Sequence, residues 1–108
     1  MANLYKSAGN WIQVSATEPK LWNSVIIQGR GDIDHRVTGF KVSYTLDGFT
    51  WLDYENGKVF SGAIDRTTKV RHNLEPFYAL TLRLTVISFQ HGSCLRWGAT
   101  FLNYWSNN

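Results

Sequence analysis

Between Ala79 and Ile87 apolar and polar residues alternate without a break, Leu80, Leu82, Leu84 and Val86 against Thr81, Arg83 and Thr85. Successive side chains of a strand point to opposite faces, so this segment makes one apolar and one polar face. A helix would scatter the same leucines around its circumference. The chain must therefore bury one side of a sheet.

The rest of the sequence repeats this signal. In Thr38 to Thr45, Phe40, Val42 and Tyr44 oppose Lys41, Ser43 and Thr45. Trp11 to Val14 reads as a short strand bounded by Gly9-Asn10 and Glu18-Pro19, and Trp22 to Gln28 as a second. The apolar run Val25-Ile26-Ile27 predicts burial on both faces. Asp47-Gly48 is a tight turn and Thr50-Trp51-Leu52 its return strand. Asn56-Gly57 is a second hairpin signal, leading into Lys58-Val59-Phe60. Thr67 to His72 reads as a polar edge strand, and Cys94 to Leu102 as the last, with Leu95, Trp97, Ala99 and Phe101 on one face. No helical period competes. Roughly seven or eight short strands separated by Gly, Asn and Asp turns predict an all-β sandwich or barrel.

At 108 residues this is a single domain spanning the chain, with 1–10 as a short lead and 103–108 as a flexible tail. Five Trp, five Tyr and six Phe supply the core, since each aromatic buries about 150–250 Å². Trp11, Trp22, Trp51 and Trp97 are assigned to it, and Arg83 and Arg96, flanked by apolar strand residues, to structural roles. Cys94 is the only cysteine, so no intramolecular disulfide is expected. Met1 to Lys6 lacks the apolar core of a signal peptide, and no run approaches the ~20 apolar residues of a membrane span. Net charge is +3, with basic residues scattered rather than clustered, which argues against a nucleic-acid partner.

Several pieces then fall in a familiar order. They are Trp11-Ile12-Gln13-Val14, Gln28-Gly29-Arg30-Gly31-Asp32, Lys41-Val42-Ser43-Tyr44 with Asp47-Gly48 and Trp51, Asn56-Gly57-Lys58-Val59-Phe60, Asp65 to Val70, and Cys94-Leu95-Arg96. From about Trp11 to Leu102 the chain resembles the discoidin domain, the galactose-binding-like module also called coagulation factor 5/8 type C. The resemblance implies a jelly-roll β-sandwich whose loops at one end form a ligand-binding lip. It also implies non-catalytic binding of galactosides, anionic phospholipid or protein partners, in an extracellular setting. Members carry further strands before the Trp-Ile-Gln-Val segment, so the sandwich is expected to lack its first strands and to cover the exposed edge by rearrangement or homo-oligomerisation. The acidic position that helps hold the family's structural calcium is Gly98 here, and no family-type calcium site or other cofactor is expected. Two further departures lie at the lip: Arg36 replaces an aromatic, and Phe89 replaces a Trp.

The best candidate contact is the loop Arg30-Gly31-Asp32-Ile33-Asp34-His35-Arg36. Its arginines and aspartates can donate to and accept from sugar hydroxyls, and Arg can grip carboxylate or phosphate with two bonds. The plainer reading is a solvated turn holding its own ion pairs. Arg30-Gly31-Asp32 also spells an adhesion tripeptide, though three-residue motifs arise often by chance. Phe89, Gln90 and His91 are expected to face this loop, as an aromatic beside amide and imidazole that can hold a sugar. Against that stands a polar turn with Phe89 in the core. Arg66, Lys69, Arg71 and His72 concentrate positive charge on one strand, as an anion patch or a solvated edge. Catalytic readings find no support: no Gly-x-Ser-x-Gly, paired-Cys or His-Glu-x-x-His motif occurs, and His35, His72 and His91 are scattered. Asp53 and Glu55 share a face if they lie on one strand. The sequence thus points to a glycan-binding, lectin-like adhesion module. The alternatives are a module for a protein receptor or anionic phospholipid, or a sandwich with an assembly role and no ligand.

Overall fold

The structure is a computed structural model that describes residues 10–32, 34–92 and 95–102. The lead 1–9, Ile33, Ser93, Cys94 and the tail 103–108 lie outside the described residues, so the expectations for the lead, the tail and Cys94 do too. A 6-stranded antiparallel ladder runs β3-β2-β5-β1-β6, with β4 also pairing β2. The strands are β1 (Trp11–Gln28), β2 (Arg36–Thr45), β3 (Trp51–Asp53), β4 (Phe60–Ser61), β5 (Val70–Gln90) and β6 (Arg96–Leu102).

The expected short strands are corrected here. The two segments around Trp11 and Trp22 are one strand of 18 residues, and the polar segment before His72 is the start of a strand of 21 residues. Pro19 does not end β1. The register steps from Ser15↔Thr81 to Lys20↔Ala79, so Ala16 to Pro19 bulge out opposite Leu80 alone. A bulge is where a sheet tolerates a proline, which has no N–H to give the ladder. Thr67, Thr68 and Lys69 precede β5, and the first residues of β5 pair only with β1, as an edge does.

The long strands let one ladder make both layers. The second half of β5 pairs with β2 and the second half of β1 with β6. The first half of β5 then packs across from β2 and β4: the His72 ring lies 5.8 Å from Phe40 and 5.1 Å from Phe60, centroid to centroid. Between the layers sits one core. Val25 and Ile27 of β1 and Leu74 and Ala79 of β5 meet Phe40, Val42, Leu82, Leu84 and Val86 from the facing half. Trp22 belongs to it and donates its indole N–H to the Ala79 carbonyl at 2.8 Å.

Trp97 packs against it, partly buried, whereas Trp11 and Trp51 do not belong to it. Trp11 is 48% exposed and Trp51 is half-buried, and between them lies Arg83, its guanidinium 3.9 Å from one ring and 4.0 Å from the other. Gln13 accepts from Arg83 Nε and Nη2 at 3.3 and 3.1 Å. The indoles thus cover an arginine on the outer face rather than filling the core. Arg83→Ala is expected to cost about 2 kcal/mol from the two stacks and the hydrogen bonds, a fall in Tm of roughly 10 °C at this domain size. Arg83→Lys should recover less than half, because an ammonium lacks the planar face that both rings hold. Thermal melts of the two variants check this.

At the Asp47-Gly48 turn, Asp47 Oδ1 accepts from the Phe49 and Thr50 N–H groups and from the Thr45 hydroxyl. The backbone N–H groups of Thr50 and Phe49 hold its carboxyl down at about 2. Gly48, at φ 88, takes the left-handed conformation that the sequence signal implied. Asn56-Gly57 instead closes a 3-10 turn over Tyr54–Asn56. That turn separates the two acids read as sharing a strand face. Asp53 ends β3 and bonds Ser43 and Lys41, while Glu55 sits in the turn and pairs with Lys58. The basic group is likewise split. Arg66 and Lys69 are in the loop before β5, Arg71 donates to Asn73, and His72 bonds the Ser61 carbonyl oxygen. No helix among the described residues is long and apolar enough to cross a membrane.

Candidate functional site at the loop end

β1, β2 and β5 deliver three loops to the same end of the sandwich, described over 29–32 with 34–35 between β1 and β2, over 62–69 before β5, and over 91–92 after it. Their joints are tight. A side chain at Gly29 would stand 2.6 Å from the Asp65 carbonyl oxygen and 2.7 Å from Arg66 Cα, so the first two loops touch through backbone. Arg96, at the start of β6, reaches across them, donating Nε to the Gly29 carbonyl at 2.9 Å and Nη2 to the Arg66 carbonyl at 3.3 Å. Asp65 closes its own loop by accepting from the N–H groups of Thr67 and Thr68 and from the Thr68 hydroxyl. Those bonds, with a smaller pull from Arg36, hold its carboxyl below the usual carboxylate range.

On this frame Arg36 and Gln90 stand directly opposite each other across β2 and β5. Arg36 Nη1 donates to Asp34 Oδ1, and its Nη2 to Gln90 Oε1 at 3.3 Å. The Gln90 amide reaches the other Asp34 oxygen at 3.5 Å and His91 Nε2 at 3.4 Å. His91 Nε2 lies 3.8 Å from the same Asp34 oxygen. Three side chains thus surround one carboxylate, and Asp34 and His91 remain 45% and 60% exposed.

Backbone geometry puts His91 there. The Gly92 N–H donates to the Gln90 carbonyl at 2.7 Å, and His91 between them sits at φ 65. A three-residue turn of this kind is strained, and such strain concentrates at ligand-contacting sites. Gly92 is required because a side chain there would run into the His35 ring. His35 is partly buried behind the network, with Nδ1 buried and without a partner among the described residues, as is Arg36 Nε. Buried polar atoms are normally paired, so these two are exceptions, and both lie at this site.

The candidates thus divide. Asp34, Arg36, Gln90 and His91 form the network, with His35 behind it. Arg30 and Asp32 pair with each other at 2.8 Å, and among the described residues the bond from Arg30 N–H to the His35 carbonyl joins them to the network. Phe89 is partly buried against the core. Ile33 lies outside the described residues. The sequence reading missed the 62–69 loop as the third wall, although Asp65 followed by Thr67 and Thr68 is the pattern of a side-chain-capped turn.

Known proteins share this architecture. Residues 3–98 match the F5/8 type C domain. Discoidin-1 of Dictyostelium discoideum is 34% identical over 87 residues, 80% of this chain and 34% of that protein. The chain therefore spans about a third of the length of such curated relatives. The structure of wild-type discoidin II from the same organism superposes with a TM-score of 0.86 at 30% identity, covering 90% of this chain and 38% of that one. CBM32 of AlyQ, solved in complex with 4,5-unsaturated mannuronic acid, shares the fold with a TM-score of 0.63 at 16% identity, covering 87% of this chain and 67% of that one. The jelly-roll sandwich and the extent of the match settle the family: the chain belongs to the F5/8 type C, or discoidin, domain family.

Proposed function

We propose that the loop end binds a glycan of galactose or N-acetylgalactosamine type, without catalysis, as a lectin-like adhesion or recognition module. The observation that carries this reading is the exposed Asp34 carboxylate ringed by Arg36, Gln90 and His91. Neighbouring sugar hydroxyls each donate and accept, and this ring offers an acceptor flanked by donors at hydrogen-bond spacing. The exposed contact between His91 and Asp34 contributes only ~0–1 kcal/mol to the free protein, so a sugar displaces it at little cost. The Arg30–Asp32 pair extends the contact outward. The reading calls on side chains alone and assigns no role to a metal ion. Single sites are weak, and self-association through the outer edge of β6 or of Trp11–Ser15 supplies avidity.

Glycan-array screening followed by titration calorimetry on the folded chain tests this. Arg36→Ala and His91→Ala, each retaining an all-β circular dichroism spectrum, are expected to weaken galactoside binding at least about tenfold. Folded protein that binds no glycan overturns the proposal. Co-sedimentation with vesicles that rises with phosphatidylserine and falls with salt, in place of glycan binding, assigns this end to anionic lipid.

A further inference from the structure

Beside the loop end, the outer face of the β6–β1–β5 sheet carries a hollow of about 250 Å³ lined by Ile26, Gln28, Lys69, Arg96, Trp97 and Gly98. Its construction follows from register. Along β1, Val25 and Ile27 are in the core, which turns Ile26 and Gln28 to the other face. Directly opposed residues of an antiparallel sheet share a face. One row across the sheet is therefore Gly98, Ile26 and Arg71, and the next is Arg96 and Gln28, with Lys69 just before β5 beside it. Gly98 leaves its end of the first row open, with nothing within 4 Å of where a side chain would begin.

The charge on this face is one-sided. No Asp or Glu lines the hollow. Lys69 makes no ion pair or side-chain hydrogen bond among the described residues, and Arg96 Nη1 has no partner among them either. The nearest acid of the adjoining loop, Asp65, is turned into its own loop by the bonds from Thr67 and Thr68. Ile26 supplies apolar surface beside these cations, while Trp97, opposite Ile27, lines the hollow from its edge and turns its ring to the core. The volume lies below the ~300–1,000 Å³ of sites for drug-sized ligands, which suits one sugar ring rather than a chain.

We propose that this sheet face is a second binding site, for a single anionic sugar residue. Its carboxylate or sulfate sits between Lys69 and Arg96, and its ring lies against Ile26, over the open place that Gly98 leaves. The site shares no residue with the Asp34 network, so it stands or falls separately from the galactoside reading. The chemistry is an anion attached to a ring. Carboxylate and sulfate satisfy it equally, and paired cations with an apolar floor distinguish it from the neutral-sugar equipment of the loop end.

Amide and indole chemical-shift titrations test it, with galacturonate and galactose-6-sulfate as probes, galactose as the neutral control and inorganic sulfate as the bare anion. Both anionic sugars are expected to shift the Lys69, Gly98 and Trp97 signals, and galactose to leave them in place. Lys69→Ala and Gly98→Glu should each weaken that binding at least about tenfold. Gly98→Ala, which adds a side chain without charge, and Arg36→Ala, remote from the hollow, should not. If Gly98→Glu does not fold, Lys69→Ala carries the test. Shifts confined to Asp34, Gln90 and His91, loss of binding in Arg36→Ala alone, or no shift with either anionic sugar overturn the proposal. So does inorganic sulfate shifting the same signals with equal affinity, which makes the hollow a simple anion site.

Discussion

Gly62→Ala is expected to destabilise the domain by at least about 3 kcal/mol, the upper end of the cost of forcing extra atoms into a packed interior. Gly62 is buried, and its N–H donates to the Thr38 carbonyl at 2.9 Å, while the next N–H, of Ala63, donates to Val37 at 2.8 Å. An added side chain would collide with the Val37 carbonyl oxygen and stand 2.7 Å from its carbon and 2.9 Å from the Thr38 carbon. All three are backbone atoms of β2, so nothing can rotate aside. Relief requires moving the segment off β2, which breaks both hydrogen bonds and unseats Phe60, stacked on Phe40 at 5.5 Å. A fall in Tm of at least roughly 12 °C follows for a domain of this size. Gly98→Ala is the matched control, because open space surrounds that position, and its melting temperature should stay within about 2 °C of the parent. Equal melting curves for the two variants would show that the Gly62 segment shifts more easily than its backbone contacts imply.

Face alternation was legible because it is a local property. Leu82, Leu84 and Val86 are in the core, as are Phe40 and Val42, just where period two placed them. What the sequence hid is continuity and pairing. Pro19 reads as a boundary because proline cannot serve a ladder, yet four residues bulge there and β1 runs on. Trp11 and Trp51 read as core because large indoles are usually buried, but their partner is Arg83 on the outer face, a contact set by the order β1-β5-β2-β3 across the sheet. At the loop end, residue chemistry and family likeness singled out both segments that meet around Asp34. The shared carboxylate itself depends on Arg36 standing opposite Gln90, and register is written nowhere in a single strand. The rows Gly98–Ile26–Arg71 and Arg96–Gln28 were invisible for the same reason. Arg66, Lys69, Arg71 and His72 looked like one charged strand only because they are close in sequence.

Arg96 carries the second large expectation, a joint loss of stability and of galactoside binding from a side chain outside the Asp34 network. Its bonds to the Gly29 and Arg66 carbonyls fasten the first loop to the second, and its Nη2 would lie only 3.1 Å from a side chain at Gly31. Hydrogen bonds from a charged donor contribute ~1.5–3 kcal/mol each, so Arg96→Ala should cost about 3 kcal/mol. Arg96→Lys should recover little, since one ammonium cannot present the guanidinium's fixed fork to two carbonyls. A positioning role predicts where the damage falls. Amide exchange should rise in 29–35 and 65–69, the first of which holds His35 and Asp34 in place, while amides of β2 and the second half of β5 keep their protection. Galactoside affinity should fall by about tenfold with the loops loosened, although Arg96 touches none of the four network side chains. Exchange that rises evenly across the sheet would make Arg96 a general stabiliser of the sandwich. Unchanged affinity beside loosened loops would mean that the Asp34 network is held by β2 and β5 alone.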